Sequence, residues 1–114
     1  MPHIIAEYTE SALSKDDVAK LLRTIHQSVT DSGLFEKSHV RTRAYPFCQF
    51  TNGLEDKPYV HIQARIKSGR DASNRKALAD AILNGVVQLS LSVAVVTVEI
   101  IDMDRDSYAK HSVS

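Results

Sequence analysis

The sequence predicts an α+β fold in which a β-α-β unit occurs twice. This prediction rests on the order in which strand-like and helix-like segments follow one another. Segments with the two-residue period of a strand and the 3.6-residue period of a helix follow one another as strand, helix, strand, and then in the same order again. In a β-α-β unit the strands are parallel and the crossover is right-handed. Two such units side by side form a four-stranded mixed sheet with both helices on one face, in a single domain over residues 1–114.

The first strand is predicted over residues 3–8. Ile4 and Ala6 point to one face of this strand, and polar side chains point to the other. Because the strand starts directly after Pro2, it would hold that residue at a defined point of the fold, as a loose terminus would not.

The first helix is predicted from its start and stop signals. Ser14 is the expected N-cap, Asp17 stands in the capping-box position, and Gly33 is the expected C′ residue that ends the helix. The apolar face between these signals consists of Val18, Leu21, Leu22, Ile25 and Val29.

The second helix is predicted over residues 74–91, with Ser73 as its N-cap. Gly85 lies inside this helix and costs about 1 kcal/mol relative to alanine. We interpret it as the mark of a close approach between the helix and the sheet. The core stripe consists of Leu78, Ile82, Val86 and Leu89.

A second strand is predicted over residues 38–45. Pro46 either ends its regular pairing or lies at a sheet edge, because proline has no N–H for the ladder. Residues 47–50 are expected to continue as a short strand. Cys48 has no basic residue near it in sequence, which favours a buried, inert thiol.

The third strand, residues 59–67, alternates most clearly, and the last strand, residues 94–102, is dense in β-branched residues. One face of the third strand is apolar and faces the helices, and the other is polar. A sheet face left uncovered in a chain of 114 residues favours oligomerisation. The tail, residues 102–114, is a candidate to reach onto a neighbouring subunit.

Composition excludes several classes of function. Lys and Arg number 14 and Asp and Glu also number 14, which argues against a general nucleic-acid or polyanion binder. No segment has the pattern of a signal peptide or the length of a membrane span, so we expect a cytoplasmic protein without a membrane partner. The five histidines are scattered, Cys48 is the only cysteine, and neither a metal site nor a phosphate loop is predicted.

The start of the chain carries the most specific chemistry. If Met1 is removed, Pro2 presents a secondary amine at the N-terminus. Met-Pro is also a common start with no function attached to it. Burial and neighbouring cations lower the pKa of such an amine, which a general base at neutral pH requires.

Arginines supply the cations that this chemistry needs. Arg41 and Arg43 are two residues apart in a strand and share a face. Arg70 precedes the second helix, and Arg75 lies one turn into it. Guanidiniums hold carboxylates through paired hydrogen bonds and stabilise an enolate. The alternative for the strand pair is a solvated face that interacts with Glu7.

Together these segments resemble the 5-carboxymethyl-2-hydroxymuconate isomerases of the tautomerase superfamily. Each motif is short, and the specificity of the resemblance comes from their order and spacing over most of the chain. The matching segments are Pro2-His3-Ile4-Ile5-Ala6-Glu7, Ser32-Gly33-Leu34-Phe35, Val40-Arg41-Thr42-Arg43, Tyr59-Val60-His61-Ile62, and Gly69-Arg70 followed by Ser73 and Arg75.

The resemblance implies a trimer of tautomerase-like subunits and an isomerase that needs no metal or cofactor. It implies that Pro2 is the base that moves a proton from the 2-hydroxy group of a dienol acid toward a distal carbon. Arg41 and Arg70 match substrate-binding arginines, and Arg43 matches an arginine of the same motif that we also expect to bind substrate. The implied substrate is an unsaturated keto acid of aromatic catabolism. The loop at Ser68 is one residue shorter than the family's form, and the tail is shorter too.

Two other functions stay open at this point. One is a related tautomerase with a different 2-oxo acid as its substrate. The other is a non-catalytic trimer that binds carboxylates. A ferredoxin-like RNA-binding module shares the element order, but the strands lack the clustered aromatic residues that stack on bases.

Overall fold

A computed structural model describes residues 1–113 and confirms the predicted order β-α-β-β-α-β. None of the helices in these residues is long and apolar enough to cross a membrane. Short 3₁₀ turns at Glu10–Ala12 and Lys37–His39 precede α1 and β2. The main elements are β1 (His3–Thr9), α1 (Lys15–Asp31), β2 (Arg41–Phe47), β3 (Tyr59–Lys67), α2 (Ala72–Val87) and β4 (Val95–Met103).

The four strands form one mixed sheet in the order β2-β1-β3-β4. β1 is parallel to β2 and antiparallel to β3, and β3 is parallel to β4. His3 lies opposite Arg41 on one side and Arg65 on the other, and Arg65 lies opposite Ile101. We call this row of four residues, with Pro2 beside it, the Pro2 end of the sheet.

Both helices cover the same face of the sheet, as predicted. Alternate residues of β1 and β3 are fully buried against the apolar stripes of α1 and α2, and this alternation places every second side chain of each strand in the core. The fully buried residues of the core include Ile4, Ala6, Leu21, Ile25, Val29, Val60, Ile62, Ala64, Ile66 and Ile82.

The opposite face carries no helix within residues 1–113, and we call it the open face. It presents His3 and Glu7 of β1, His61 and Arg65 of β3, and Glu99 of β4, which strand alternation places on the same side. His61 bonds Glu99 Oε2 through Nε2 at 2.5 Å and Thr97 Oγ1 through Nδ1 at 2.6 Å. The predicted polar face of β3 is therefore confirmed.

The start of α1 is confirmed in detail. The Asp17 N–H donates to Ser14 Oγ at 3.1 Å, and the Ser14 N–H donates to Asp17 Oδ2 at 3.0 Å. The helix ends at Asp31, and Gly33 adopts a φ of 73° just beyond it. A residue with a side chain would be strained there, so glycine suits this position.

The start of α2 corrects the sequence prediction, because Asp71 and not Ser73 is the N-cap. Asp71 Oδ1 accepts the Asn74 N–H at 2.8 Å and the Ser73 hydroxyl at 3.0 Å. The helix also ends at Val87, four residues before the predicted end, since Ser90 takes a φ of 53° that a helix cannot continue through. Sequence spacing alone does not separate the two candidate caps.

The second strand differs from its prediction at both ends. A 3₁₀ turn ends at His39, so β2 begins at Arg41, and it continues through Pro46 to Phe47. Pro46 lies on an edge strand, which pairs with a neighbour on one side only, so its missing N–H interrupts no hydrogen bonds to a second strand. Residues 48–50 do not continue the strand. Cys48 is exposed, so the predicted burial of its thiol is wrong.

Gly85 marks a close approach between the two helices and not between a helix and the sheet. A Cβ atom at this position would lie 2.8 Å from Ser28 Oγ and 3.1 Å from Thr24 Cγ2 of α1. The Ser28 hydroxyl donates to the Thr24 carbonyl oxygen at 2.9 Å, which limits how far it can move away. The missing side chain therefore sets the distance between α1 and α2.

We predict that Gly85→Ala destabilises the protein. Overpacking costs about 1–3 kcal/mol, and alanine's higher helix propensity offsets about 1 kcal/mol of it. The free energy of unfolding from urea titration should therefore fall. Adding Ser28→Ala removes the nearest clashing atom, so the double variant should regain part of the loss. A Gly85→Ala protein as stable as the parent would contradict the close approach.

The two candidate caps of α2 give a second prediction. Asp71→Ala should lower the melting temperature more than Ser73→Ala at pH 7. The Asn74 N–H and then the Ser73 hydroxyl lower the pKa of Asp71 from its ordinary value of 3.8. A lowered pKa stabilises the fold above pH 3.8, and that contribution is lost as the pH falls through the folded-state value. The difference between parent and Asp71→Ala should therefore shrink below pH 3.8, as thermal melts from pH 7 to pH 2.5 can measure.

Candidate functional site

Pro2 is buried at the start of the first strand. Its carbonyl oxygen accepts the Arg41 N–H at 3.0 Å, which ties the residue before β1 to the first residue of β2. The sequence prediction that a strand holds Pro2 in place is therefore supported by burial and by a backbone hydrogen bond. While Met1 is present the Pro2 nitrogen is an amide, and only removal of Met1 makes it a base.

Arg41 and Arg43 both lie on β2 opposite open-face residues of β1. Arg41 is exposed, and its Nη1 donates to the Ser38 carbonyl oxygen at 3.3 Å. Arg43 is half-buried, and its Nη1 donates to His3 Nδ1 at 3.2 Å. No ion pair with Glu7, the alternative that the sequence left open, is formed by either arginine within residues 1–113.

Arg70 follows β3 and reaches the segment between α1 and β2. Its Nη2 donates to the Leu34 carbonyl oxygen at 2.6 Å, and its guanidinium lies 4.7 Å from the centre of the Phe35 ring. These two contacts orient the guanidinium and leave other N–H groups free to bind a ligand. Arg75 instead pairs with Asp102 at 3.3 Å.

The Pro2 end of the sheet is strongly cationic. The pKa of the Met1 amine is lowered from its ordinary value of 8.0, first by partial burial and then by the charges of Lys67, Lys110, Arg41 and Arg105. Of these four residues the sequence prediction named only Arg41. The alternating pattern of β3 could have indicated Lys67, because this residue ends the polar face of that strand. No sequence pattern indicated Arg105 or Lys110 of the tail.

His3 shares this environment. Its pKa is lowered from 6.5, first by partial burial and then by the charges of Arg43, the N-terminal amine, Arg41 and Arg65. The imidazole therefore stays neutral to a lower pH than an exposed histidine. The sequence prediction placed His3 on the correct face but did not assign it a role.

The single chain brings Pro2 and its arginines to one end of the sheet without enclosing them. No hydrogen bond among residues 1–113 joins a guanidinium to Pro2. Among residues 1–113, the grooves beside Phe47, Leu83, His26 and Leu54 include neither Pro2 nor the three predicted arginines.

One of those grooves lies at the far end of the open face, and the sequence analysis missed it. The rings of Phe47, Phe50 and Tyr59 have centroids 4.9–5.8 Å apart. Glu7 and His61 line the same groove. The acidic and aromatic residues are thus separated along the sheet from the cationic Pro2 end.

Residues 2–112 match the family of 5-carboxymethyl-2-hydroxymuconate isomerases. The chain belongs to this family. It is therefore an isomerase, as the resemblance implied, and the match covers the chain from Pro2 into the tail. No curated protein sequence is similar enough to count as a match.

Several solved structures share the fold. A 5-carboxymethyl-2-hydroxymuconate isomerase from Deinococcus radiodurans R1 is 20% identical, with a TM-score of 0.80 over 96% of this chain and 88% of that one. A fused 4-OT described as a wild-type asymmetric trimer is 17% identical, with a TM-score of 0.83 over 95% of this chain and 91% of that one. A member of the cis-3-chloroacrylic acid dehalogenase family is 17% identical, with a TM-score of 0.78 over 96% and 80%.

We predict that the N-terminal amine of the purified protein titrates below the pKa of an N-terminal amine in an unstructured peptide. Partial burial and then the cations at the Pro2 end lower the pKa of the Met1 amine, and an amine on Pro2 should meet the same surroundings and become neutral at a lower pH. An NMR titration of protein labelled with ¹⁵N-proline would measure this pKa, and intact mass would show whether Met1 is present. Lys67→Met removes one cation and should raise the pKa. If the pKa of the amine equals that of an unstructured peptide and does not change in Lys67→Met, the cations do not act on the amine and the prediction is wrong.

Proposed function

We propose that this isomerase moves a proton within an unsaturated 2-hydroxy or 2-oxo di- or tricarboxylic acid, such as 5-carboxymethyl-2-hydroxymuconate. Pro2, freed by removal of Met1, is the general base, and no cofactor takes part. The observation that carries the proposal is the position of Pro2, buried and hydrogen-bonded at the start of β1, inside a cluster of cations. The substrate class places the reaction in the breakdown of aromatic compounds.

The reaction is a proton shift without net oxidation. The neutral Pro2 nitrogen takes the proton of the 2-hydroxy group, and the oxygen becomes a carbonyl as the double bonds move along the chain. The resulting secondary ammonium returns the proton to a distal carbon, where a new C–H bond forms. Because the proton leaves and returns within one substrate, the amine ends the cycle neutral.

Two properties of the cationic cluster support this role. Partial burial and then positive neighbours lower the pKa of the Met1 amine, and the same surroundings should keep a larger fraction of an amine on Pro2 neutral and able to accept a proton at pH 7. The same charges favour an anionic substrate and the enolate that develops during the transfer. Arg41 and Arg70 are the proposed carboxylate ligands, since each has guanidinium N–H groups beyond those used in the contacts at Ser38 and Leu34.

A homotrimer is the proposed assembly. The open face is one whole side of the sheet without a helix, and a similar fold is described as a trimer in the fused 4-OT structures. The face is basic near Arg41 and Arg65 and acidic near Glu7 and Glu99. Opposite charges on different parts of this face suit contacts between copies that repeat in a ring. A neighbouring subunit in this arrangement would also cover the exposed Pro2 end.

A related tautomerase acting on another 2-oxo acid is the second candidate. The loop that carries Arg70 is short, and Gly69 there has a φ of 117° and lies beside the Arg105 guanidinium. The shape of this loop decides where the Arg70 guanidinium meets a carboxylate. Specificity constants for a panel of dienols that differ in chain length and carboxylate number would rank the two candidates.

Pro2→Ala tests the proposed base. Alanine at this position also permits removal of Met1, so the variant keeps a free amine that is primary instead of secondary. A general base contributes about 10²- to 10⁴-fold, and we expect kcat/KM for 5-carboxymethyl-2-hydroxymuconate to fall by at least the lower factor. Circular dichroism and gel filtration would check that fold and assembly are kept.

Pro58→Ala is the matched control, because it removes a proline from the loop before β3 at the far end of the sheet from Pro2. It should turn over the dienol as the parent does. Unchanged turnover in Pro2→Ala, or a fully active parent protein whose intact mass still includes Met1, would exclude Pro2 as the base. A folded parent without Met1 that turns over no dienol would favour the carboxylate-binding alternative.

A further inference from the structure

Three side chains from separate parts of the chain meet on the open face next to Pro2. Arg43 of β2 bonds His3 of β1 at 3.2 Å, and His3 Nε2 bonds the hydroxyl of Tyr108 in the tail at 2.9 Å. The His3 and Tyr108 rings have centroids 6.1 Å apart. The proposed chemistry at Pro2 does not use this row of contacts.

The hydrogen bonds in this row have a direction that the chemistry of arginine sets. A guanidinium has donors only, so Arg43 donates and His3 Nδ1 accepts. The neutral imidazole then carries its hydrogen on Nε2 and donates it to the Tyr108 oxygen. This arrangement holds one tautomer and one orientation of the ring. A protonated His3 would lose the acceptor that faces Arg43.

The end of β4 and the tail after it contact the end of β3 at Met103, Arg105 and Tyr108. The Ser68 N–H donates to the Met103 carbonyl oxygen at 2.9 Å, and Arg105 Nε donates to the Ser68 carbonyl oxygen. Lys67 Nζ lies 5.2 Å from the centre of the Tyr108 ring. The tail is therefore tied to the end of β3 and presents Tyr108 to His3 of the same chain. Contact of the tail with a neighbouring subunit stays a prediction.

We propose that Tyr108 and Arg43 are positioning residues that act through His3 to orient the amine of Pro2. The inference rests on the proposed function, because it concerns the base of that reaction. His3 is joined to Pro2 by a peptide bond. Because the His3 ring is held by hydrogen bonds on both of its nitrogens, the backbone torsions that orient the Pro2 nitrogen are restricted. The family resemblance suggested Arg43 as a substrate ligand, and the role that we propose for it instead is to position His3.

The charged groups around His3 come from every strand packed beside it. They are Arg43 and Arg41 on β2, Arg65 on β3 and the Met1 amine just before β1, and Tyr108 is the titratable group hydrogen-bonded to His3 Nε2. All the charged groups are cationic, so each favours the neutral imidazole. The neutral ring in turn adds no further positive charge beside the Pro2 nitrogen.

Tyr108→Phe tests the positioning role with a minimal change. It removes the acceptor of His3 Nε2–H and keeps the ring near Lys67. Loss of one hydrogen bond corresponds to roughly a 3- to 10-fold change, and we expect kcat to fall by that factor while KM stays unchanged. Tyr45→Phe is the matched control, because Tyr45 is exposed and its hydroxyl makes no hydrogen bond within residues 1–113. It should keep the parent's kcat.

Arg43 is tested by a pair of variants. Arg43→Gln keeps an N–H donor for His3 Nδ1 without the charge, and Arg43→Met removes both. We expect Arg43→Met to lower kcat and Arg43→Gln to restore most of it, with KM near the parent value in both. If KM rises equally in the two variants while kcat is kept, Arg43 binds the substrate and the positioning role is wrong.

An NMR measurement of the His3 ring separates this inference from the proposed function. Imidazole ¹⁵N shifts at neutral pH should show hydrogen on Nε2 and none on Nδ1, with His3→Asn used for assignment. The pKa of His3 should lie below 6.5 and should rise in Arg43→Met, since a cation has been removed. The Nε2 resonance should move in Tyr108→Phe and not in Tyr45→Phe.

The outcomes of the two experiments are distinct. A His3 ring with hydrogen on Nδ1, or with shifts that Tyr108→Phe leaves unchanged, overturns the positioning role even if Pro2→Ala is inactive. The same holds if Tyr108→Phe alters the ring as expected but keeps the parent's kcat. A parent protein that turns over no dienol overturns the proposed function and, with it, the role assigned to Tyr108 and Arg43.

Discussion

The parallel pairing of β1 with β2 is the constraint on which the rest of the site depends. β1 is a central strand, paired with β2 on one side and β3 on the other, and its inward residues Ile4 and Ala6 are fully buried. The hydrogen bond from the Arg41 N–H to the Pro2 carbonyl oxygen extends this pairing one residue before the strand. A chain terminus is thereby held as firmly as a core segment, which a site built on an N-terminal nitrogen requires.

Charge is distributed unevenly along the sheet although the chain has as many acidic as basic residues. The Pro2 end collects Arg41, Lys67 and Arg105, while Glu7 and Glu99 lie further along the open face. Cations placed close together repel one another, so this end of the sheet is less stable than a mixed surface would be. An anionic ligand relieves that repulsion. Functional sites commonly depart from the most stable arrangement in this way.

Several sequence predictions failed because the local backbone, and not the residue type, decides the environment of a residue. Asp71 and Ser73 are both good caps, and only the backbone of the loop after β3 places the Asp71 carboxylate at the Asn74 N–H. Cys48 was assigned to the interior from its residue type, but β2 ends at Phe47 and turns the thiol outward. Gly85 signalled a close approach correctly, and the partner proved to be Ser28 of the other helix.

The sequence by itself determined the order of elements, most of both apolar stripes, the cap of α1 and the family, because periodicity and short-range capping are local properties and the family motifs keep their order along the chain. Leu89, the last residue of the predicted stripe of α2, lies beyond the end of that helix at Val87. The sequence also placed Pro2 directly before a strand and put Arg41 and Arg43 on the same face of another strand. Only the tertiary structure decided that Arg43 and Tyr108 meet across His3, since residues 3, 43 and 108 are brought together by strand register and by the path of the tail. Contacts between residues so far apart depend on the whole sheet, and no local pattern encodes them.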